Sequence, residues 1–271
     1  MAYLADEVHP SALAGAVGTF VAGNGLGGLC GRILAAVVTD AGGWRAGLAT
    51  ASGLSVGCAV AFAVLLPPQR HGRRHSQAVR AIRRHLADRG LRRLYLTGFV
   101  LMGAFVTIYN YLGYRLLLPP FSLSPALVGL IFLAYLAGTA ASAAAGRLAD
   151  RYGARRVLAG AVFGAIAAVT LTMANSLPAV LTGLVIVTAG FFAAHAAASG
   201  WVGQLAHTAR GQAAGLYLFA YYAGSSLGGW VGGLVYQHAG WPATVGYVAA
   251  LFAVALAPAA LPSPEGVDSG S

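Results

Sequence analysis

The stretch GRLADRYGARRV, residues 146–157, separates two apolar segments and decides how the chain is interpreted. It places four arginines and one aspartate within twelve residues, although only 9% of the chain is charged. A soluble domain is about one quarter charged. The 58% hydrophobic content and the mean hydropathy of +0.71 therefore predict a membrane protein. The charged stretch is then a loop between two membrane-spanning helices.

Apolar segments long enough to cross a bilayer recur along the whole chain. A spanning helix needs about 20 mostly apolar residues. No segment alternates with the period of two that is typical of a barrel strand. The sequence therefore predicts an all-α membrane protein with about eight transmembrane helices. The predicted spans are residues 12–38, 46–66, 94–114, 126–146, 157–174, 177–201, 211–236 and 241–261.

One connection, residues 67–93, is long and basic, with nine arginines and three histidines. Part of it, residues 76–90, is predicted to form an amphipathic helix on the membrane surface, with Val79, Ile82 and Leu86 on one face. Anionic lipid attracts such a segment. The alternative is a solvated linker.

The arginines predict the orientation in the membrane. Alternate loops fall on opposite sides, and one side collects fourteen arginines while the other holds only Arg45 and Arg115. The arginine-rich side is expected to be cytoplasmic, together with both chain ends.

The same composition argues against several kinds of partner. The net charge of +10 comes in bursts between apolar segments and not as a stripe, so nucleic acid is not a predicted partner. The two cysteines, Cys30 and Cys58, lie in apolar stretches and indicate neither a disulfide framework nor a metal site. No cofactor is expected, and no nucleophile–base pair within the spans suggests an enzyme.

A short internal repeat connects the two ends of the chain. AGNGLGGLCGRI at residues 22–33 matches AGSSLGGWVGGL at residues 223–234, with six identical positions. Each copy is followed by a Gly-Trp pair, Gly43-Trp44 or Gly240-Trp241, which is expected to open the next helix. Such repeats are typical of secondary transporters built from two related halves.

These motifs resemble those of the major facilitator superfamily. The charged loop is similar to the family's signature loop, and the repeat resembles its antiporter motif, with Arg32 in the first copy where the family has glycine. The signature positions are Gly146, Leu148, Asp150, Arg151, Gly153, Arg155, Arg156 and Leu158. The glycine motif positions are Gly23, Gly27, Gly28 and Gly31 in the first copy and Gly224, Gly228, Gly229 and Gly232 in the second.

The resemblance implies a fold and a division of the chain. The spans correspond to helices 5–12 of the family's twelve, so the chain is expected to be N-terminally truncated. The implied domains are the remnant of the first half at 1–66, the central cytoplasmic loop at 67–93, the six-helix second half at 94–262 and a flexible tail at 263–271.

The resemblance also implies a function. Stretches such as LMGAFVTIYNYLGYRLL are similar to bacterial inner-membrane transport proteins of the drug and sugar efflux branch. This implies proton-coupled efflux of small molecules by alternating access, with the lipid bilayer, a small-molecule substrate and protons as partners. The alternative is a non-transporting membrane scaffold or a degenerate transporter fragment.

By this resemblance, the charged loop is a conformational switch. Asp150 is expected at the N-terminal end of a neighbouring helix near Ser11, where the helix dipole favours negative charge. Arg151 and Arg155 would complete a charge cluster that opens and closes during transport. The alternative is a loop that only fixes the topology.

Several polar and aromatic residues within the spans are candidates for a substrate or proton pathway. Arg32 either reaches the membrane surface or faces a polar cavity. His195 either carries a proton or is a hydrogen-bonded interior residue. An aromatic cavity would suit apolar or cationic substrates. No carboxylate lies within the predicted spans. The candidates are Arg32, Asn24, Asn110, Tyr111, Tyr135, His195, Tyr217 and Tyr221.

Overall fold

The computed structural model of the protein describes residues 10–66, 75–206 and 208–260, without the side chains of 10–22, 24–26, 29, 75–79 and 260. Within these ranges the chain is helical and has no strand. The helices are α1 (Pro10–Leu65), α2 (His75–Ala87), α3 (Arg89–Leu117), α4 (Pro125–Tyr152), α5 (Ala154–Met173), α6 (Leu177–Leu205) and α7 (Arg210–Val254).

Two of these helices are broken at a glycine. Gly43 in α1 has φ 78° and ψ 170°, and Gly240 in α7 has φ 72° and ψ −169°. Glycine reaches positive φ without steric cost, because it has no Cβ. Six described helices are long and apolar enough to cross a membrane, and the two breaks account for the eight predicted spans. The breaks occur at the two Gly-Trp pairs, as the sequence predicted. The helical described chain and its long apolar helices confirm the all-α membrane fold.

Helices α3 and α7 approach each other closely through the second glycine copy. A Cβ added at Gly224 would meet the backbone carbonyl of Phe99, and one added at Gly228 would lie 2.7 Å from the Cα of Gly103. The Thr107 hydroxyl also donates to the Gly228 carbonyl at 3.2 Å. Small residues allow this backbone contact, and van der Waals packing then drives the association of the helices.

The first glycine copy, in α1, has no such neighbour. A Cβ added at Gly23, Gly27 or Gly31 would meet no atom within 4 Å among the described residues. The two copies share their sequence pattern, yet only the copy in α7 packs against a helix of the described chain.

Helix α1 joins the rest of the molecule at the start of α4. A Cβ added at Gly129 would lie 2.6 Å from the Cβ of Ala36, so the two backbones nearly touch. Beyond the break at Gly43, most of α1 is exposed, apart from the first turns around the buried Gly47, as Trp44 and Phe62 illustrate at 61% and 65% exposure. Only the first part of α1 therefore takes part in a described helix interface.

The basic linker contains the short helix α2, shortened at its C-terminal end relative to the prediction. Helix α2 ends at Ala87 because the next residue, Asp88, is the N-cap of α3. The Asp88 side chain accepts a hydrogen bond from the Leu91 backbone NH at 2.9 Å. His85 is buried and its Nε2 lies 3.3 Å from the Ala209 carbonyl, so α2 docks on the α6–α7 connection. Of the predicted apolar face, Ile82 is half-buried and Leu86 is exposed, and the side chain of Val79 lies outside the described residues.

At the other end of the six-helix half, Arg115 connects several helix ends. Its guanidinium donates to the carbonyl oxygens of Thr172, Met173 and Ala174, the last two at 3.0 Å. The Trp241 indole NH also donates to the Thr172 carbonyl, at 2.9 Å. These bonds satisfy carbonyls that the end of α5 leaves without helical partners.

Candidate substrate site

An aromatic cluster lies where α3, α4, α6 and α7 face one another. Each helix contributes rings three or four residues apart, which places them on one face of that helix. The rings stand at the middle of the six-helix half and include four of the predicted pathway residues. The cluster consists of Phe105, Tyr109, Phe132, Tyr135, Phe191, Phe192, His195, Tyr217 and Tyr221.

The rings pack in the offset and edge-to-face arrangements that aromatic quadrupoles favour. Phe105 and Phe191 stack with centroids 3.9 Å apart and an interplanar angle of 12°. Tyr109 meets Tyr135 edge to face at 5.2 Å and stacks on Phe132 at 5.2 Å. Five of the nine rings are buried in the core, so the surface that the cluster offers to a molecule beside it comes from the partly exposed rings. These are Phe132, Phe192, His195 and Tyr221.

Two buried hydroxyls of the cluster are hydrogen-bonded across helices. The Tyr109 hydroxyl lies 2.7 Å from the Thr188 hydroxyl, and His195 Nδ1 lies 3.0 Å from the Tyr217 hydroxyl. The His195 ring also lies 4.7 Å from the Tyr221 ring. His195 thus has the hydrogen-bond partner that the interior-residue interpretation requires, and proton transfer by it stays a prediction.

Arg32 reaches the cluster from α1. Its guanidinium carbon lies 5.2 Å from the centroid of Phe132 and 5.5 Å from that of Tyr135, within cation–π range. The close contact of Ala36 with Gly129, one turn further along, holds α1 in this register. Arg32 is exposed in the described chain, and both interpretations of it stay predictions.

A cavity of about 340 Å³ adjoins Phe132 between α1, α3 and α4. Asn110, Tyr111 and Ala36 contribute to its wall. The Tyr111 hydroxyl donates to the Gly229 carbonyl at 3.1 Å, which ties this wall to the glycine motif of α7. The side chain of Asn24, a further predicted pathway residue, lies outside the described residues.

The predicted switch loop is a sharp turn between α4 and α5. Gly153 makes the turn with φ 84° and ψ 142°, in the region open to glycine. Asp150 is exposed and forms no hydrogen bond or ion pair with the described residues, while Arg151 lies 5.2 Å from the Tyr152 ring. The predicted charge cluster of Asp150 with Arg151 and Arg155, and gating by it, stay predictions.

The remaining loop positions have separate surroundings. Arg156 lines a groove of about 590 Å³ between α4, α5 and α6, whose other lining residues are mostly alanine and glycine. Gly146 has open space beside it within the described chain. The loop therefore positions its arginines at one end of the bundle without joining them to the aromatic cluster.

The sequence interpretation missed the phenylalanines that form the centre of the cluster. In a chain so apolar, no sequence feature distinguishes Phe105, Phe132 and Phe191 from the other phenylalanines. No motif surrounds Thr188. Their spacing was the available signal, since Phe105–Tyr109 and Phe191–His195 are four residues apart and Phe132–Tyr135 three.

Comparison with known proteins matches this chain to a family of transporters. The family model of the Major Facilitator Superfamily matches residues 1–123 and 95–271. The chain is 42% identical over 260 residues to the inner membrane transport protein YnfM of Escherichia coli, covering 94% of this chain and 62% of that protein. It is 38% identical over 260 residues to the uncharacterized MFS-type transporter YybF of Bacillus subtilis, covering 94% and 64%.

A third relative is similar to the chain to a comparable extent. An uncharacterized transporter of Buchnera aphidicola subsp. Baizongia pistaciae is 36% identical over 245 residues, covering 89% of this chain and 61% of that protein. The chain thus spans less than two thirds of the length of these relatives. Because the family model and the relatives match along nearly the whole chain, the chain belongs to the Major Facilitator Superfamily.

Proposed function

We propose that this chain forms the second half and part of the first half of a secondary transporter, which exports small molecules by alternating access in exchange for protons. The aromatic cluster and Arg32 would form its part of a central substrate site. Residues 1–66 would belong to the first half, residues 67–93 would be the central cytoplasmic loop, and residues 94–262 would be the second half. The chain ends would face the cytoplasm in a bacterial inner membrane.

The observation that carries the proposal is the unequal packing of the two glycine copies. Gly224 and Gly228 hold α7 against α3, whereas Gly23 and Gly27 of α1 meet no described neighbour. In a transporter of two related halves, the glycine face of α1 would receive a helix equivalent to α3. That helix would complete the wall opposite the aromatic cluster.

Proton coupling would need titratable groups that can reach the substrate site. The acidic side chains that they include are Asp40, Asp88 and Asp150, and none contacts the aromatic cluster. A proton relay would therefore use His195 and its partner Tyr217, or carboxylates on helices outside this chain.

The experiment measures compound-driven proton flux in everted membrane vesicles. The chain is produced alone, or together with the portion of YnfM that lies outside the matched region. Respiration acidifies the vesicle interior, and a pH-sensitive acridine dye reports the release of protons when a test compound is added. We expect a response when both polypeptides are present and none with the chain alone.

The possible results separate the proposal from its alternative. A panel of drugs, sugars and small aromatic compounds, including benzoate, is tested. If it gives no response from the paired polypeptides, although both are in the membrane, the result favours a non-transporting scaffold. A response from the chain alone contradicts the need for a second wall. If substrate flux persists after a protonophore collapses the proton gradient, the result contradicts proton coupling and still supports transport.

A further inference from the structure

The positive charge of Arg32 lacks a counterion within the described chain. Its guanidinium lies over the rings of Phe132 and Tyr135. One guanidinium nitrogen would also lie 3.5 Å from a Cβ added at Gly28, in the preceding turn of the same helix. The chain has seven acidic residues in all, and Asp40 is the one that shares α1 with Arg32 among the described residues. It lies eight residues further along, about 12 Å at the helical rise, and forms no ion pair with Arg32.

A charge at membrane depth is costly unless something pairs with it, and such residues usually face a cavity or a ligand. Arg32 is exposed and is not a lining residue of the cavity of about 340 Å³, but its guanidinium lies over the ring of Phe132, which lines that cavity. The volume is within the range of small-molecule sites. The guanidinium presents several donors in a planar fork that matches a carboxylate.

The position of Arg32 also determines which charge a ligand can carry. The faces of Phe132 and Tyr135 are the surfaces where a cationic ligand would bind, and the guanidinium already occupies them. A second cation would meet like charge at the same rings. The aromatic cluster taken alone suggests apolar or cationic substrates, whereas the cluster with Arg32 in place favours an anion.

We propose that the substrate is a small aromatic carboxylate, whose carboxylate pairs with the guanidinium of Arg32 while its ring lies against Phe132 in the adjoining cavity. Asn110, which lines the same cavity, offers an amide to polar substituents on the ring. This proposal rests on the proposed transport function, because it names the substrate class of the same site.

The test measures binding of radiolabelled benzoate to the purified chain in detergent by scintillation proximity. Unlabelled benzoate, neutral benzamide and cationic benzylamine compete, since they share a ring and differ in charge. We expect only benzoate to compete well. Arg32→Gln is expected to weaken binding about tenfold or more, because it removes a charge-assisted pair.

The matched control is Arg45→Gln, which removes the same charge from the same helix. Arg45 lies over the Trp44 ring at 4.4 Å and does not contact the cluster. Its variant is expected to bind benzoate like the parent chain. Equal thermal unfolding of the parent chain and both variants shows that all three are folded.

Three results would overturn the proposal: no benzoate binding to the folded chain, benzylamine competing as well as benzoate, or full binding by Arg32→Gln. Each of these leaves the transport proposal to be judged by proton flux with the full panel, which contains neutral, cationic and anionic compounds. Conversely, benzoate binding without flux from the paired polypeptides would support the site and contradict transport.

Discussion

Arg115 shows how a single side chain holds several helix ends together. It donates to three successive carbonyls at the end of α5 and lies 5.7 Å from the Trp241 ring, just after the break in α7. The sequence predicted only that Arg115 marks a loop on the less basic side of the membrane. Its partners could not be predicted, because they are backbone oxygens and carry no sequence signal.

Replacing Arg115 with methionine should destabilise the chain. The substitution keeps much of the apolar stem and removes all the donors, so the carbonyls of Met173 and Ala174 lose their Arg115 partner, while that of Thr172 keeps the Trp241 indole. Hydrogen bonds from a charged group contribute about 1.5–3 kcal/mol net. Thermal unfolding of the purified chain, followed by circular dichroism, should show a lower midpoint for Arg115→Met. Arg45→Met, which loses only a ring contact, should unfold like the parent, and equal midpoints for both variants would contradict this role of Arg115.

At the scale of elements, the sequence predicted well where helices begin and end. The Gly-Trp pairs predicted the breaks in α1 and α7, since glycine alone reaches the positive φ found at Gly43 and Gly240 without strain. The pattern could not predict which glycine face packs. The same spacing occurs in both copies, and packing depends on whether a partner helix is present.

The glycine copies provide a matched pair of substitutions. Gly224→Ala places a Cβ on the Phe99 carbonyl and should destabilise the chain by about 1–3 kcal/mol, as overpacking does. Gly23→Ala adds a Cβ where nothing described lies within 4 Å, and should stabilise α1 slightly through helix propensity. The two unfolding midpoints in the same detergent test the difference. Similar losses in both variants would mean that the α1 face is already occupied in this chain.

At the scale of the whole molecule, the arginine asymmetry predicts one orientation. Fourteen arginines fall on one side of the eight predicted spans, nine of them in the linker at 67–93. The positive-inside rule then places that linker in the cytoplasm. Hydropathy predicted the all-α membrane fold, and the orientation from the arginine counts stays a prediction. Neither of them could predict the site, because its aromatic residues meet from four separate helices.

The predicted orientation can be measured by proteolysis from either side of the membrane. Trypsin cleaves after arginine, so the linker should be cut in everted vesicles and protected in intact spheroplasts. A cytoplasmic marker protein that stays uncut in the spheroplasts serves as the control for lysis. Cleavage of the linker from the outside would reverse the topology and the proposed direction of transport.

The central claim is that α1 places Arg32 on the aromatic cluster of the six-helix half, and a disulfide cross-link tests it most directly. In a chain with Cys30→Ser and Cys58→Ser, the pair Ala36→Cys and Gly129→Cys should form a disulfide. Their Cβ atoms would lie 2.6 Å apart, so α1 and α4 need to separate by only about 1 Å to reach disulfide geometry. After tryptic cleavage of the linker, the tagged α1 fragment should stay joined to the α4 fragment until reductant is added. Val56→Cys with Gly129→Cys, on the exposed part of α1, should not join them. Failure of the first pair, or equal cross-linking by both pairs, would contradict the placement of Arg32 and the substrate site built on it.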